Sequence, residues 1–151
     1  MNYQWQTSDF AGISTHELYA ALRLRQQVFC VEQDCAYLDL DNLDQEAVHM
    51  LCWQGDQLLA YQRCLAPGTS CRESALGRIV VSSMARGRNL GRELVQRGIR
   101  HNIDRWPSRD IRINAQAYLQ DFYQQLGFLA EGDIYDEDGI PHIQMVYRRS
   151  A

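Results

Sequence analysis

No stretch of this chain approaches the ~20 consecutive apolar residues that a membrane-spanning helix needs, so no membrane partner is expected. The opening residues, Met1-Asn2-Tyr3-Gln4-Trp5-Gln6, lack the basic and apolar regions of a signal peptide, and a soluble, cytoplasmic protein is expected. Positive charge is short as well. The formal net charge is −4, which argues against a nucleic-acid partner held by phosphate contacts. The five cysteines form no Cys-x-x-Cys pair and the four histidines lie far apart, so neither a metal site nor a disulfide framework is expected. Internal repeats, low-complexity tracts and linkers are missing too. So are two nucleotide-binding patterns, Gly-x-x-x-x-Gly-Lys-Ser/Thr and Gly-x-Gly-x-x-Gly.

What is present is an ordinary globular composition, 46% hydrophobic and 23% charged, in 151 residues, which suits one domain with one sizeable core. The charges are uneven. Arginines crowd positions 78–112, while acids crowd 34–46 and 133–138, so one region suits an anion and two could suit a cation or be solvated loops. Cys30, Cys52 and Cys64 sit in apolar runs and read as small core residues, whereas Cys35 and Cys71 sit in polar surroundings and read as exposed thiols. With no histidine close by in sequence, a catalytic cysteine is not favoured.

The periodicities predict mixed elements. Residues 3–6 alternate as a short edge strand. Ser14 and Glu17 form a capping box for a helix running to about Phe29, with Leu18, Leu22, Val28 and Phe29 on its apolar stripe. Arg25 falls on that stripe, so it must pair with an acid or point into a ligand cleft. Residues 34–46 read as a loop with a short helix. Residues 47–53 and 58–65 read as a hairpin, 76–81 as a strand, 90–106 as a helix stopped by Pro107, and 111–115 as a strand. Residues 118–126 form a short helix capped by Gly127, and residues 128–135 and 140–148 a second hairpin turning at Asp138-Gly139. This order of hairpins and crossovers predicts an α/β (α+β) domain around one mixed, mostly antiparallel sheet of about seven strands flanked by helices.

The stretch richest in chemistry is Arg86-Gly87-Arg88-Asn89-Leu90-Gly91, between an apolar strand and an amphipathic helix. The first N–H groups of a helix have no partner inside it, and their dipoles sum to a partial positive charge. Gly87 and Gly91 let a phosphate approach the backbone, and Arg86 and Arg88 add charge at the same mouth. A pyrophosphate-bearing ligand is the first inference; a plain glycine-containing turn with solvated arginines is the alternative.

Residues 78–91 resemble the signature of the GNAT superfamily of acyl-CoA N-acetyltransferases, a strand followed by Arg/Gln-x-x-Gly-x-Gly/Ala and a helix. Phe122-Tyr123-Gln124-Gln125-Leu126-Gly127-Phe128 resembles that family's second, aromatic-Tyr-x-x-x-Gly-Phe segment. Leu24-Arg25-Gln26-Gln27-Val28-Phe29-Cys30-Val31-Glu32-Gln33, with Ile140-Pro141-His142-Ile143, resembles the small bacterial ElaA-like branch. Together the resemblance spans nearly the whole chain, 1–151, as a single domain. Asn89 departs from the signature by standing where glycine is usual; asparagine is the other residue that best tolerates positive φ, and affinity for CoA is what the departure bears on.

The resemblance implies direct acetyl transfer from acetyl-CoA to a primary amine. It places the pyrophosphate on Arg86, Gly87, Arg88, Asn89, Leu90 and Gly91, and the pantetheine arm along the backbone of Ile79, Val80 and Val81. Asn114 and Ala115 would form the opposite wall, and a backbone N–H near Val80 or Val81 would polarise the thioester carbonyl. Tyr123 is the implied acid for the departing thiolate, because a phenol is protonated at neutral pH; a half-buried structural tyrosine is the other reading. For the base that takes a proton from the amine the candidates are Glu32, His142 and His49, with a water chain as an alternative; His142 beside Pro141 reads equally, and slightly better, as a structural histidine. The acid-rich segments 34–46 and 136–138 would line the acceptor entrance, so a cationic small-molecule or peptide amine is expected, and a homodimer is common in such folds. A non-catalytic acyl-CoA sensor would share the cradle but lack a working acid and base. A toxin acting on charged tRNA is disfavoured by the lack of a basic patch.

Overall fold

A computed structural model describes residues 2–149. Seven strands form one sheet: β1 (Gln4–Asp9), β2 (Val48–Gln54), β3 (Gln57–Leu65), β4 (Ser74–Val81), β5 (Ile111–Gln116), β6 (Leu129–Glu137) and β7 (Ile140–Tyr147), in the spatial order β1-β2-β3-β4-β5-β7-β6. Every neighbouring pair is antiparallel except β4–β5. The predicted mixed, mostly antiparallel sheet is therefore what the chain forms.

Strand alternation sends successive side chains to opposite faces. Met50 and Cys52 enter the core under α2 (Leu90–Arg105), while Leu51 between them joins Ala21, Leu24 and Val28 on the other face, under α1 (Thr15–Arg25). The capping box forms as expected: Glu17 N–H donates to Ser14 Oγ at 3.1 Å, and Ser14 N–H to Glu17 Oε1 at 2.9 Å. The first helix does not end at Phe29. It continues as a π-helical segment, Gln26–Glu32, in which Gln33 N–H reaches back to Val28 O and Cys35 N–H to Cys30 O. The helix predicted over 118–126 is α3 (Gln120–Gln125), preceded by a 3₁₀ turn, Ala117–Leu119. Residues 3–6 mark only part of β1, which runs on to Asp9. The loop 34–46 holds the short helix expected of it, Asp44–Glu46.

Arg25 is fully buried and paired. Its Nε meets Asp39 Oδ2 at 2.9 Å and its Nη1 meets Asp44 Oδ1 at 2.8 Å. Arg63 joins Asp41 and Asp44, and Arg78 joins Asp39 and Asp41. Three arginines and three aspartates thus neutralise one another beneath the sheet and staple the 34–46 segment to β3 and β4.

Candidate active site

The parallel neighbours β4 and β5 pair only at Ser74↔Ile111 and Ala75↔Arg112, then part. A bulge on β4 accompanies the divergence: Arg63 of β3 faces Gly77 and Tyr61 faces Val80, which leaves one extra residue on β4. Arg78 takes φ 51° there, and the ion pairs to Asp39 and Asp41 hold its side chain. A cavity of about 460 Å³ fills the wedge. Ile79, Val80 and Val81 line one wall and Ile113, Asn114 and Ala115 the other.

At one end of the wedge lies the glycine turn. Gly87 takes φ 84° and Asn89 takes φ 60°, ψ 19°, the left-handed geometry that asparagine tolerates. The Asn89 side chain does not cap α2. Among the described residues, no backbone bond outside the regular elements uses the N–H of Gly87, Asn89, Leu90 or Gly91. Leu90 gives only its backbone to this mouth, since its side chain is buried in the core under α2. A methyl group on Gly91 would touch Val81 Cγ2 at 3.6 Å and Phe122 Cζ at 3.7 Å, so the bare glycine keeps the mouth open toward the wedge. Arg86 lines the cavity and pairs bidentately with Glu32, Nη1 to Oε2 at 2.7 Å and Nη2 to Oε1 at 3.0 Å. Arg88 is exposed and donates to Gln54 Oε1 and Met84 O.

Tyr123 of α3 lines the cavity and is 5% exposed. Phe122 and Phe128 meet its ring edge-on at 5.1 and 5.9 Å, which fixes its direction. Burial pushes its phenol above the usual value, with the nearby Tyr118 adding to it, so the hydroxyl stays protonated across the physiological range.

At the far end stand His142, Glu137 and Asn114. His142 is buried, and its Nδ1 lies 2.7 Å from Ile140 O. Its Nε2 lies 3.5 Å from Glu137 Oε2, while Asn114 Nδ2 donates to Glu137 Oε1 at 2.8 Å. Gln33 and Gln116 exchange amide hydrogen bonds at 3.3 and 3.2 Å, tying the end of the π-helical segment to the end of β5.

The wedge thus has helix-start amides at one end, a buried phenol in its wall and a histidine–carboxylate pair at the other, which supplies hydrogen-bond donors at one end and a proton acceptor at the other. The family model described as acetyltransferase (GNAT) domain matches residues 19–149. The chain belongs to the GNAT family. Among its GNAT-fold relatives, Escherichia coli ElaA is 40% identical over 144 residues, covering 94% of each chain. A UPF0039 protein of Synechocystis is 42% identical over 150 residues, covering 98% of this chain and 96% of the relative. The crystal structure of an acyl-CoA N-acyltransferase from Pseudomonas aeruginosa superposes with a TM-score of 0.92 at 40% identity, over 99% of this chain and 100% of that one. That of E. coli ElaA gives 0.92 at 38%, over 97% and 100%. Membership in the GNAT family makes the chain an acyltransferase drawing on an acyl-CoA donor, in a family that acts on amine acceptors.

Within this GNAT fold some expectations fail. His49 is not in the cleft: it is fully buried, with Nδ1 2.7 Å from Tyr61 Oη and Nε2 2.9 Å from Asp44 O. It is a packed core histidine with both nitrogens engaged. Asp39, Asp41 and Asp44, expected at the acceptor entrance, are instead engaged in ion pairs with Arg25, Arg63 and Arg78. Cys35 is no exposed thiol: it is 9% exposed and its Sγ donates to Asp138 O at 3.3 Å, while Cys30, expected inside, is half-buried. Cys71 is likewise half-buried. Gln33 and Gln116 line the cavity without having been singled out, whereas Tyr37 and Glu137 fall in the segments 34–46 and 136–138 expected at the acceptor entrance. The Gln33–Gln116 pair is 83 residues apart, and nothing local announces it. Glu137 did carry a signal, since it immediately precedes the Asp138-Gly139 turn and so stands at the mouth of a hairpin.

Proposed function

We propose that this chain transfers an acetyl group from acetyl-CoA directly to a primary amine of a cationic acceptor, with residues 1–151 acting as one N-acetyltransferase domain. One observation carries the reading: a single cavity runs from Arg86 and Gly91, past Val81 and Tyr123, to Glu137 and His142. The pyrophosphate sits on the backbone amides of Gly87, Asn89, Leu90 and Gly91, with the Arg86 and Arg88 side chains beside it. The pantetheine arm lies along Ile79, Val80 and Val81, facing Asn114 and Ala115, and an N–H of the bulged strand polarises the thioester carbonyl.

The proton path then follows from the two ends. His142 takes a proton from the acceptor's ammonium group, because only the free amine is a nucleophile. The amine nitrogen attacks the thioester carbon, and a C–N bond forms. The C–S bond breaks as the tetrahedral centre collapses, and the sulfur takes the Tyr123 hydroxyl proton. The proton shed by the attacking nitrogen restores the phenol. Glu32 is the weaker base, since Arg86 engages both of its oxygens. Glu137 and Asp138 give the acceptor end its negative character. Five free thiols suit the expected cytoplasmic location.

The test is a panel of polyamines, amino sugars and lysine peptides assayed for free CoA, beside calorimetry of acetyl-CoA binding. Tyr123→Phe is expected to lower turnover at least about tenfold while binding persists. Absence of binding heat, or unchanged turnover in Tyr123→Phe, overturns the reading.

A further inference from the structure

The acceptor end holds a relay that the proposed mechanism uses only in part. A carbonyl oxygen can only accept, so the 2.7 Å contact between His142 Nδ1 and Ile140 O puts the ring hydrogen on Nδ1. In the neutral ring Nε2 is then a bare lone pair. It faces Glu137 Oε2 at 3.5 Å, where two acceptors have nothing to share. The carboxylate is nonetheless held there, because Asn114 Nδ2 donates to its other oxygen at 2.8 Å. The hairpin that carries Glu137 is pinned twice more, by Cys35 Sγ on Asp138 O and by Gly139 N–H on Asp136 Oδ2. A proton arriving at Nε2 turns an empty juxtaposition into an ion pair.

We propose that Glu137, held by Asn114, is a positioning residue that waits at His142 Nε2 and pairs with the ring once it has taken the ammonium proton. The proposal rests on acyl transfer to an amine with His142 as the proton acceptor. It moves Asn114 from the wall of the donor site to the acceptor relay, and it makes the recognised group a protonated primary amine. No atom changes hands beyond one proton, passed from the ammonium nitrogen to Nε2. The titratable groups facing the ring are Glu137 and Tyr135 from β6; Gln116, across the ladder on β5, is uncharged, and Cys35 and Tyr37 line the same cavity.

The test reads His142 itself. In full-length protein carrying ¹⁵N-labelled histidine, with the His142 signals assigned by His142→Gln, the neutral ring is expected to carry its hydrogen on Nδ1. Glu137→Gln should move the Nε2 signal of the protonated ring, because the carboxylate it pairs with is gone. Asn114→Ala should move it the same way by less, and Glu137→Asp should restore part of the change. A hydrogen on Nε2 in the neutral ring, or an unmoved Nε2 signal in folded Glu137→Gln, overturns the proposal. Should Glu137→Gln fail to fold, Asn114→Ala decides it by the same two readings. These readings need no acceptor, so they are separate from the acetyl-CoA calorimetry that tests the wider function.

Discussion

Glu32 and Arg86 show how one contact discriminates between roles. Each is a little under half exposed, and the pair is worth about 0–1 kcal/mol as surface pairs go. The contact engages Arg86 with a carboxylate and with Val81 O, partners that compete with an incoming anion. Glu32→Gln frees the guanidinium and removes a negative charge from the mouth. It is therefore expected to tighten acetyl-CoA binding by up to about fivefold, measured by calorimetry, with turnover kept within about twofold of the parent. A loss of turnover of tenfold or more would instead make Glu32 the base and displace His142. Asn89 works on the same scale: its positive φ is met by a residue that tolerates it, so the loop keeps a path usually left to glycine.

At the scale of elements, α2 sets the distance between the cradle and the sheet. Gly98 on its buried face allows this approach, since a Cβ there would lie 2.6 Å from Gln62 Nε2 and 2.8 Å from Oε1. Gln62 cannot easily swing aside: it is fully buried, and its amide donates to Leu94 O at 2.6 Å and to Met50 Sδ at 3.1 Å. Alanine in a helix interior ordinarily gains about 1 kcal/mol over glycine. Here Gly98→Ala is expected to lose about 1–3 kcal/mol by overpacking, seen as a lower midpoint in urea melts. A raised midpoint would show that Gln62 has somewhere else to go. The elements themselves were largely legible in sequence, because their signals are local. Ser14 and Glu17 announced α1, Pro107 ended α2, and Asp138-Gly139 gave a turn with φ 53° and 82°. Two elements that build the site were not legible. The π-helical extension brings Glu32 to Arg86 and Gln33 to Gln116, partners 54 and 83 residues apart. The bulge at Arg78 places a non-glycine residue at positive φ, held by aspartates from a loop far away in sequence. Both are set by tertiary contacts, which no window of neighbouring residues displays. His49 misled for the same reason: its partners, Tyr61 and the Asp44 carbonyl, are assembled only by the fold.

For the whole molecule, the buried charges under the sheet decide how it meets acid. All fifteen Lys/Arg positions are arginine, whose planar fork can serve two carboxylates at once, as Arg25 serves Asp39 and Asp44. Burial alone would raise the Asp41 carboxyl, but the Arg63 guanidinium, helped by Arg78, outweighs it and brings it down to about 2. Asp44 is lowered in the same way, with Arg25 and Arg63 overcoming its burial. Glu73 is brought to about 2, chiefly by its hydrogen bonds from Arg112. His49 moves the other way round: burial lowers it, so the folded protein keeps it neutral where the unfolded chain would protonate it. The signs give two separate windows. A depressed histidine favours the unfolded state as pH falls below the ordinary histidine value, about 6.5. Depressed carboxylates stabilise fully above the ordinary value, about 4, and lose that contribution as pH falls toward 2. Thermal midpoints followed by circular dichroism are therefore expected to decline first below about pH 6.5 and again, more steeply, between about pH 4 and pH 2. His49→Gln should erase the upper decline at some fixed loss of stability and leave the lower one in place. Midpoints level from pH 7 to pH 4 would remove His49 from the account, and midpoints level from pH 4 to pH 2 would remove the arginine–aspartate network, since a group whose protonation is equal in both states cannot tilt the balance between them.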